Sequence, residues 1–265
     1  MTVIAAFFLF PFLFMVITSF KNSELQVNMD MGSLRGFLLY GDIGLQQYRD
    51  IIVDRNIGHA YFNSLFITAS AVSIGLVVNS MIAYALARIP FRGRKVILVA
   101  IIALMIVPGE AIVIPLLFMA NAIGWINTYQ VQIVPFVAEA MSIFLFYQFF
   151  RTIPNDLEEA AIIDGASRAY IYAKIIVPLS RPVFASVAIL SSLFRWSEYL
   201  WPLMVTRGEK VQPLPIAMQM LFNLTPTRWG DVFAFATLMT APMLAVFILF
   251  QRQFVDSVAS TGIKG

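Results

Sequence analysis

Glu110, Glu139, Arg195 and Glu198 stand inside apolar stretches long enough to cross a bilayer. A charge at mid-membrane costs at least about 2.5–3.5 kcal/mol, so each needs a counter-ion, water or a transported solute beside it. Carboxylates so placed can carry protons or cations, and an Arg can meet an anion. Arg195 and Glu198 are three residues apart and can pair on one helix face, which would make them a tie between helices. If Arg195 instead faces a cavity, it favours an anionic cargo. Trp196, Tyr199 and Trp201 interleave with this pair. Aromatic faces stack on sugar rings, and they equally anchor a helix at the membrane interface. These six residues, Glu110, Glu139, Arg195, Trp196, Glu198 and Tyr199, are the candidates for a transport pathway.

Catalytic chemistry has no comparable foothold. The one histidine, His59, stands alone and is expected to be solvated, and there is no cysteine. No Ser/His/Asp set or metal-ligand cluster stands out. No GxxxxGK[ST] phosphate loop occurs, so a transport step driven by ATP would need a nucleotide-binding partner.

The elements that must position these residues follow from composition. The chain is 60% hydrophobic and 12% charged, with a mean hydropathy of +0.81. Soluble domains hold roughly 45–50% apolar and about 25% charged residues, so lipid is the natural solvent here. Six stretches approach the roughly 20 apolar residues that span a bilayer. They run from Val3 to Phe20, Phe62 to Ala87, Val96 to Phe118, Gln130 to Phe150, Pro182 to Val205 and Val232 to Phe250. The fold class is therefore all-α, a single membrane domain over residues 1–265 with six crossings. Pro108 and Pro115 are positioned to kink the third.

The connecting segments differ in charge. Segments 88–95, 151–181 and 251–265 hold ten basic and five acidic residues, whereas 21–61, 119–129 and 206–231 hold seven of each. Excess Lys and Arg mark the cytoplasmic side, which places the first set and both termini inside.

The segment 151–181 reads RTIPNDLEEAAIIDGASRAYIYAKIIVPLSR. Asn155 with Glu158 three residues on has the form of a capping box, and Asp156, Glu158 and Glu159 suit a helix N-terminus. Leu157, Ala160, Ala161 and Asp164 share one face. Gly165 permits a sharp reversal. Ser167 can start a second short helix that Pro178 and Pro182 end. The result is a helix–turn–helix at the membrane surface. It either ties two spans together or offers small residues and carboxylates to a partner.

Glu159-Ala160-Ala161, Gly165, Ile175 and Pro178 resemble the EAA signature of ABC importer permeases, with Val177 where that family often has Leu. Shorter matches along the chain resemble the maltose-type carbohydrate permeases. They include Asn63-Ser64-Leu65, Ala83-Tyr84-Ala85-Leu86-Ala87-Arg88, Pro108-Gly109-Glu110 and Trp229-Gly230-Asp231. In the run from Trp196 to Leu203, Ser197 replaces the usual Asn, and a basic residue before this Trp is not the usual pattern.

The resemblance implies that Glu159, Ala160, Ala161, Asp164, Gly165, Ile175 and Pro178 belong to a coupling helix between the fourth and fifth spans, docked in an ATPase subunit. It also implies a second homologous permease, two ATPase subunits that bind ATP and Mg, and an extracytoplasmic sugar-binding protein. No cofactor in this chain and no nucleic-acid partner are expected. The tail 256–265 would help to seat the ATPases, and the loop 206–231 would enter the binding protein. The rivals are an ion-coupled carrier using Glu110, Glu139 and Glu198, a membrane enzyme, and an ABC permease for a non-sugar solute.

Overall fold

The computed structural model describes residues 2–55 and 57–262. Helices dominate them, and the only β pairing among them is one isolated bridge between Lys21 and Ile43. Three helices are long and apolar enough to cross a membrane: Ile57–Arg88, Tyr129–Phe150 and Trp229–Leu249. Two bent helix pairs reach the same length, Arg94–Leu104 with Gly109–Ala122 and Arg168–Leu179 with Arg181–Ser197. Phe7–Ser19 is apolar but shorter. The chain is thus an all-α membrane protein with three to five apolar spans by this measure.

Three expected spans are not single continuous helices, the one from Gln130 to Phe150 being broken at Val137–Glu139. The stretch from Val96 to Phe118 is broken at Met105–Pro108, where its halves bend by 103°. Pro108 lacks the N–H that would continue the helix, and it sits at the N-cap of the second half. The stretch from Pro182 to Val205 is interrupted after Ser197 and resumes at Leu200.

The chain divides into two compact units. One combines Met1–Leu65 with Glu198–Ala245. Its interior sets buried polar groups among apolar side chains such as Val27, Ile51 and Phe235. Lys21 is fully buried, and its Nζ lies 2.7 Å from Asp30 Oδ2 while donating to the carbonyls of Arg35 and Gly36. Tyr40 donates to the other Asp30 oxygen. Glu24 accepts from the backbone N–H groups of Trp229 and Gly230, capping the last long helix. Asp231 meets Arg55 at 3.0 Å, and Arg228 meets Asp50 at 2.8 Å.

Asn63 and Ser64 hold the segment 210–214: Asn63 donates to the Gln212 carbonyl, and Ser64 accepts from the Leu214 N–H. His59 is exposed but not simply solvated, because its Nε2 lies 2.9 Å from the Lys210 carbonyl.

The other unit combines Phe66–Ser197 with Val246–Gly265. Its apolar core joins Ala83, Leu86, Phe146, Phe150, Ile171 and Val187. At Val137–Glu139 the backbone leaves the helix between Tyr129 and Phe150. Non-helical backbone at membrane depth must find its partners inside protein. Asn79 supplies one, accepting the Glu139 N–H at 2.9 Å. Gly75, one turn earlier on the same helix, faces the same break: a methyl there would sit 3.4 Å from the Val137 carbonyl oxygen, in ordinary van der Waals contact.

Candidate functional site

The segment 151–181 folds as two short helices around a reversal. The first is Asp156–Ile163, and Gly165 follows with φ +83, a left-handed conformation that glycine adopts without a Cβ clash. Ser167 then caps Arg168–Ile171 by accepting the Tyr170 N–H. A π-helical turn, Tyr172–Ile176, leads to Val177–Leu179. The chain bends by 78° into Arg181–Ser197.

Glu158 organises this hairpin. It is 5% exposed, although it stands in the first turn of a surface helix. Arg88 Nε, at the end of the Ile57–Arg88 helix, lies 3.3 Å from Glu158 Oε1 without hydrogen-bond alignment. Arg168 Nη1 and the Tyr84 hydroxyl each lie 3.3 Å from Oε2. Arg88 also donates to the carbonyls of Phe150 and Ile153 and to Asn155 Oδ1. One guanidinium thereby satisfies the carbonyls at the end of the helix Ala140–Phe150 and locks the start of the next. Tyr172 adds a second tie, its hydroxyl 2.7 Å from Ser80 Oγ. Ile171 and Ile176 are fully buried below.

The expected capping box is absent. Asn155 is itself helical in conformation and makes no side-chain cap. Its oxygen faces Arg88 instead, because a charged donor makes the stronger hydrogen bond.

Of the residues singled out from the sequence, Glu159, Ala160, Asp164, Gly165 and Pro178 are exposed, while Ala161 and Ile175 are half-buried against the core. Leu157 and Ile163 are exposed too, Ile163 at 85%. Clamped by Glu158, the first helix therefore turns an apolar and acidic ridge outward. Glu158, Arg88, Tyr84, Arg168 and Tyr172 were missed as a working group. The pairing of an Arg at the end of one apolar stretch with a second acidic residue beside Glu159 was the available signal.

The pathway candidates divide between the two units, Glu198 and Tyr199 in the first and Glu110, Glu139, Arg195 and Trp196 in the second. Glu110 is exposed in the first turn of Gly109–Ala122. Glu139 is half-buried, with Ser142 Oγ at 2.7 Å and Ser191 Oγ at 3.3 Å from its Oε2. Arg195 stacks on Phe136 at 4.1 Å and lines a narrow polar cleft with Glu139, Asn79 and Ser191. Trp196 and Trp201 are buried in the protein rather than spread on an interface. Glu198 Oε1 accepts from the Trp201 N–H, and Tyr199 is 37% exposed. The side chains of the tail 256–265 lie outside the described residues.

Residues 75–260 match the model of the binding-protein-dependent transport system inner membrane component. The chain belongs to that family. The permease is 31% identical, over 99% of its length and 93% of the relative's, to an arabinooligosaccharides transport system permease of Halalkalibacterium halodurans. It is also 31% identical, over 97% of its length and 92% of the relative's, to a trehalose/maltose transport system permease of Thermococcus litoralis. A crystal structure of a bacterial ABC transporter involved in the import of the acidic polysaccharide alginate superposes with a TM-score of 0.81 at 25% identity. That match covers 96% of the permease and 93% of the other chain.

The permease is thus a membrane-embedded ABC transport subunit and not an enzyme, and the ion-coupled carrier and membrane enzyme are set aside. Transport systems of this family work with a binding protein, a partner permease and an ATPase.

Proposed function

We propose that the permease forms half of the translocation pathway of a carbohydrate importer, with oligosaccharides as the cargo class. Its relatives that carry arabinooligosaccharides and trehalose or maltose support that class. In this reading the chain crosses the membrane six times. The Phe7–Ser19 stretch and the two bent pairs supply crossings beyond Ile57–Arg88, Tyr129–Phe150 and Trp229–Leu249. Segments 88–95, 151–181 and 251–265 face the cytoplasm, as do both termini, following the excess of Lys and Arg there.

The hairpin 151–181 is the coupling element. The observation that carries this is the split between its buried and exposed carboxylates. Glu158 is spent on Arg88 and Arg168, whereas Glu159 stands outward beside Leu157, Ala160 and Ile163. Two ATPase subunits hold ATP and Mg. When they close, they displace this hairpin and that of the second permease, and the pathway opens to the sugar-loaded binding protein. The hairpin transmits that motion because Arg88 and Tyr172 bind it to a transmembrane helix. The tail 256–265 helps to seat the ATPases. Glu110, Glu139, Arg195, Trp196, Glu198 and Tyr199 remain the pathway candidates, with Glu139 and Arg195 lining one cleft.

Glu159→Lys tests the coupling reading. Because Glu159 is exposed, the variant inserts and assembles the two permeases normally, but substrate-stimulated ATP hydrolysis by the purified complex disappears. Normal stimulation in the variant complex would sink the assignment.

A further inference from the structure

An open groove runs between the loop after the Ile57–Arg88 helix and the 151–181 hairpin. Arg94, Lys95, Arg151 and Arg168 line it, with Leu98 and Tyr147 on its apolar side. Its charge is unbalanced. Glu158 is already shared by Arg88 and Arg168. Arg94, Lys95 and Arg151 form no salt bridge with a carboxylate among the described residues. Arg151 is held instead over the ring of Tyr147, 5.8 Å from its centroid.

The helix Arg94–Leu104 begins in this groove with Gly93 at its N-cap and no side-chain acceptor for its first-turn N–H groups. The same helix has no buried residue. Val96, Val99 and Leu104 are exposed along it, so an apolar track leads away from the cationic end.

We propose that this groove binds the phosphate headgroup of an anionic phospholipid whose acyl chains lie along Val96 and Val99. Guanidinium groups match phosphate oxygens in a bidentate fork, and a helix N-terminus adds N–H donors and the positive end of its dipole. Basic pockets beside transmembrane helices suit lipid headgroups for this reason. Free phosphate or a nucleotide shares the headgroup chemistry but makes no use of the apolar track. Glu159 and Ile162 form part of the groove wall, so a bound lipid touches the surface assigned to coupling and stiffens the link between the 88–95 loop and the hairpin. The lipid assignment rests on the groove and the apolar helix, not on the ATPase reading, and Glu159→Lys leaves its cations intact.

The full complex, with its partner permease and ATPases, is purified and placed in nanodiscs of phosphatidylcholine with and without phosphatidylglycerol. Native mass spectrometry then reads the retained lipid. The wild type retains phosphatidylglycerol in preference to phosphatidylcholine. Each cation removed from the groove lowers that retention about fivefold, so Arg94→Gln with Lys95→Gln lowers it roughly 25-fold. Arg92→Gln, an exposed cation outside the groove, leaves it unchanged. Lys95→Gln alone removes one exposed side chain without disturbing packing, and it shifts retention in the same direction even if the double variant assembles poorly. Inorganic phosphate at constant ionic strength does not displace the lipid. Equal retention in Lys95→Gln and wild type overturns the proposal, as does an Arg92→Gln loss of the same size. Displacement by phosphate makes the groove a free-anion site and overturns the lipid assignment. Absence of retained phosphatidylglycerol in the assembled wild type overturns it as well.

Discussion

Arg88 Nε and Glu158 Oε1 lie 3.3 Å apart, with 5% and 6% of their side chains exposed, 70 residues apart in sequence. This contact joins the end of one transmembrane helix to the first turn of the coupling hairpin. Removing one partner of a buried pair leaves an uncompensated charge and costs about 3–5 kcal/mol. Arg88→Gln is therefore expected to destabilise the permease by about 3 kcal/mol, near the low end, because Arg168 and Tyr84 still meet Glu158. Arg168→Gln removes a partner 44% exposed and costs no more than about 1 kcal/mol. Unfolding temperatures of the purified complex give the order, and equal shifts for the two variants would contradict the buried role of Arg88.

Acid should loosen the segment around Lys21. Burial alone would raise the Asp30 pKa, but the hydrogen bonds from Lys21 and Tyr40 and the charge of Lys21 outweigh it and hold the carboxyl below its ordinary value. A depressed folded pKa contributes stability that is complete above the unfolded value, about 3.9, and lost as pH falls through the folded value. Asp30→Asn removes the titration and leaves Lys21 buried without its counter-ion. Hydrogen exchange of residues 21–40 should then differ between wild type and variant at neutral pH and converge below about pH 4. A difference that stays constant with pH would count against the linkage.

Asn79→Ala should weaken the break in the fourth apolar stretch. The Glu139 N–H loses the acceptor that Asn79 supplies at 2.9 Å, and an unsatisfied buried group costs about 1–3 kcal/mol. The expected signature is faster exchange at residues 137–140 with little change at 160–170. No local change would mean that water or another group takes over the N–H.

The loop 206–231 offers a direct test of binding-protein engagement. Asn223 and Thr225 are exposed beside the helix Leu214–Phe222. A Cys at either position should crosslink to the binding protein when the ATPases hold ATP. Silence in every nucleotide state would leave the loop as a cover for its own unit only.

Local chemistry alone determined a good part of this protein. The apolar stretches, the reversal at Gly165 and the Ser167 cap depend on residues close in sequence, where solvent preference, a missing Cβ or a side-chain oxygen decides the conformation. The EAA run was legible for the same reason: its spacing is local. Tertiary structure decided what the helical pattern leaves degenerate. Glu158 and Glu159 are adjacent acids on one short helix, and only the position of Arg88 sets which of them is buried. The same guanidinium drew Asn155 out of the expected capping box. Hydropathy likewise treats Val96 to Phe118 as continuous. The 103° bend at Met105–Pro108 is a direction of the chain, to which a sum of apolar residues is blind. The break at Val137–Glu139 stands because Asn79, sixty residues away, replaces a hydrogen bond that the local sequence cannot make.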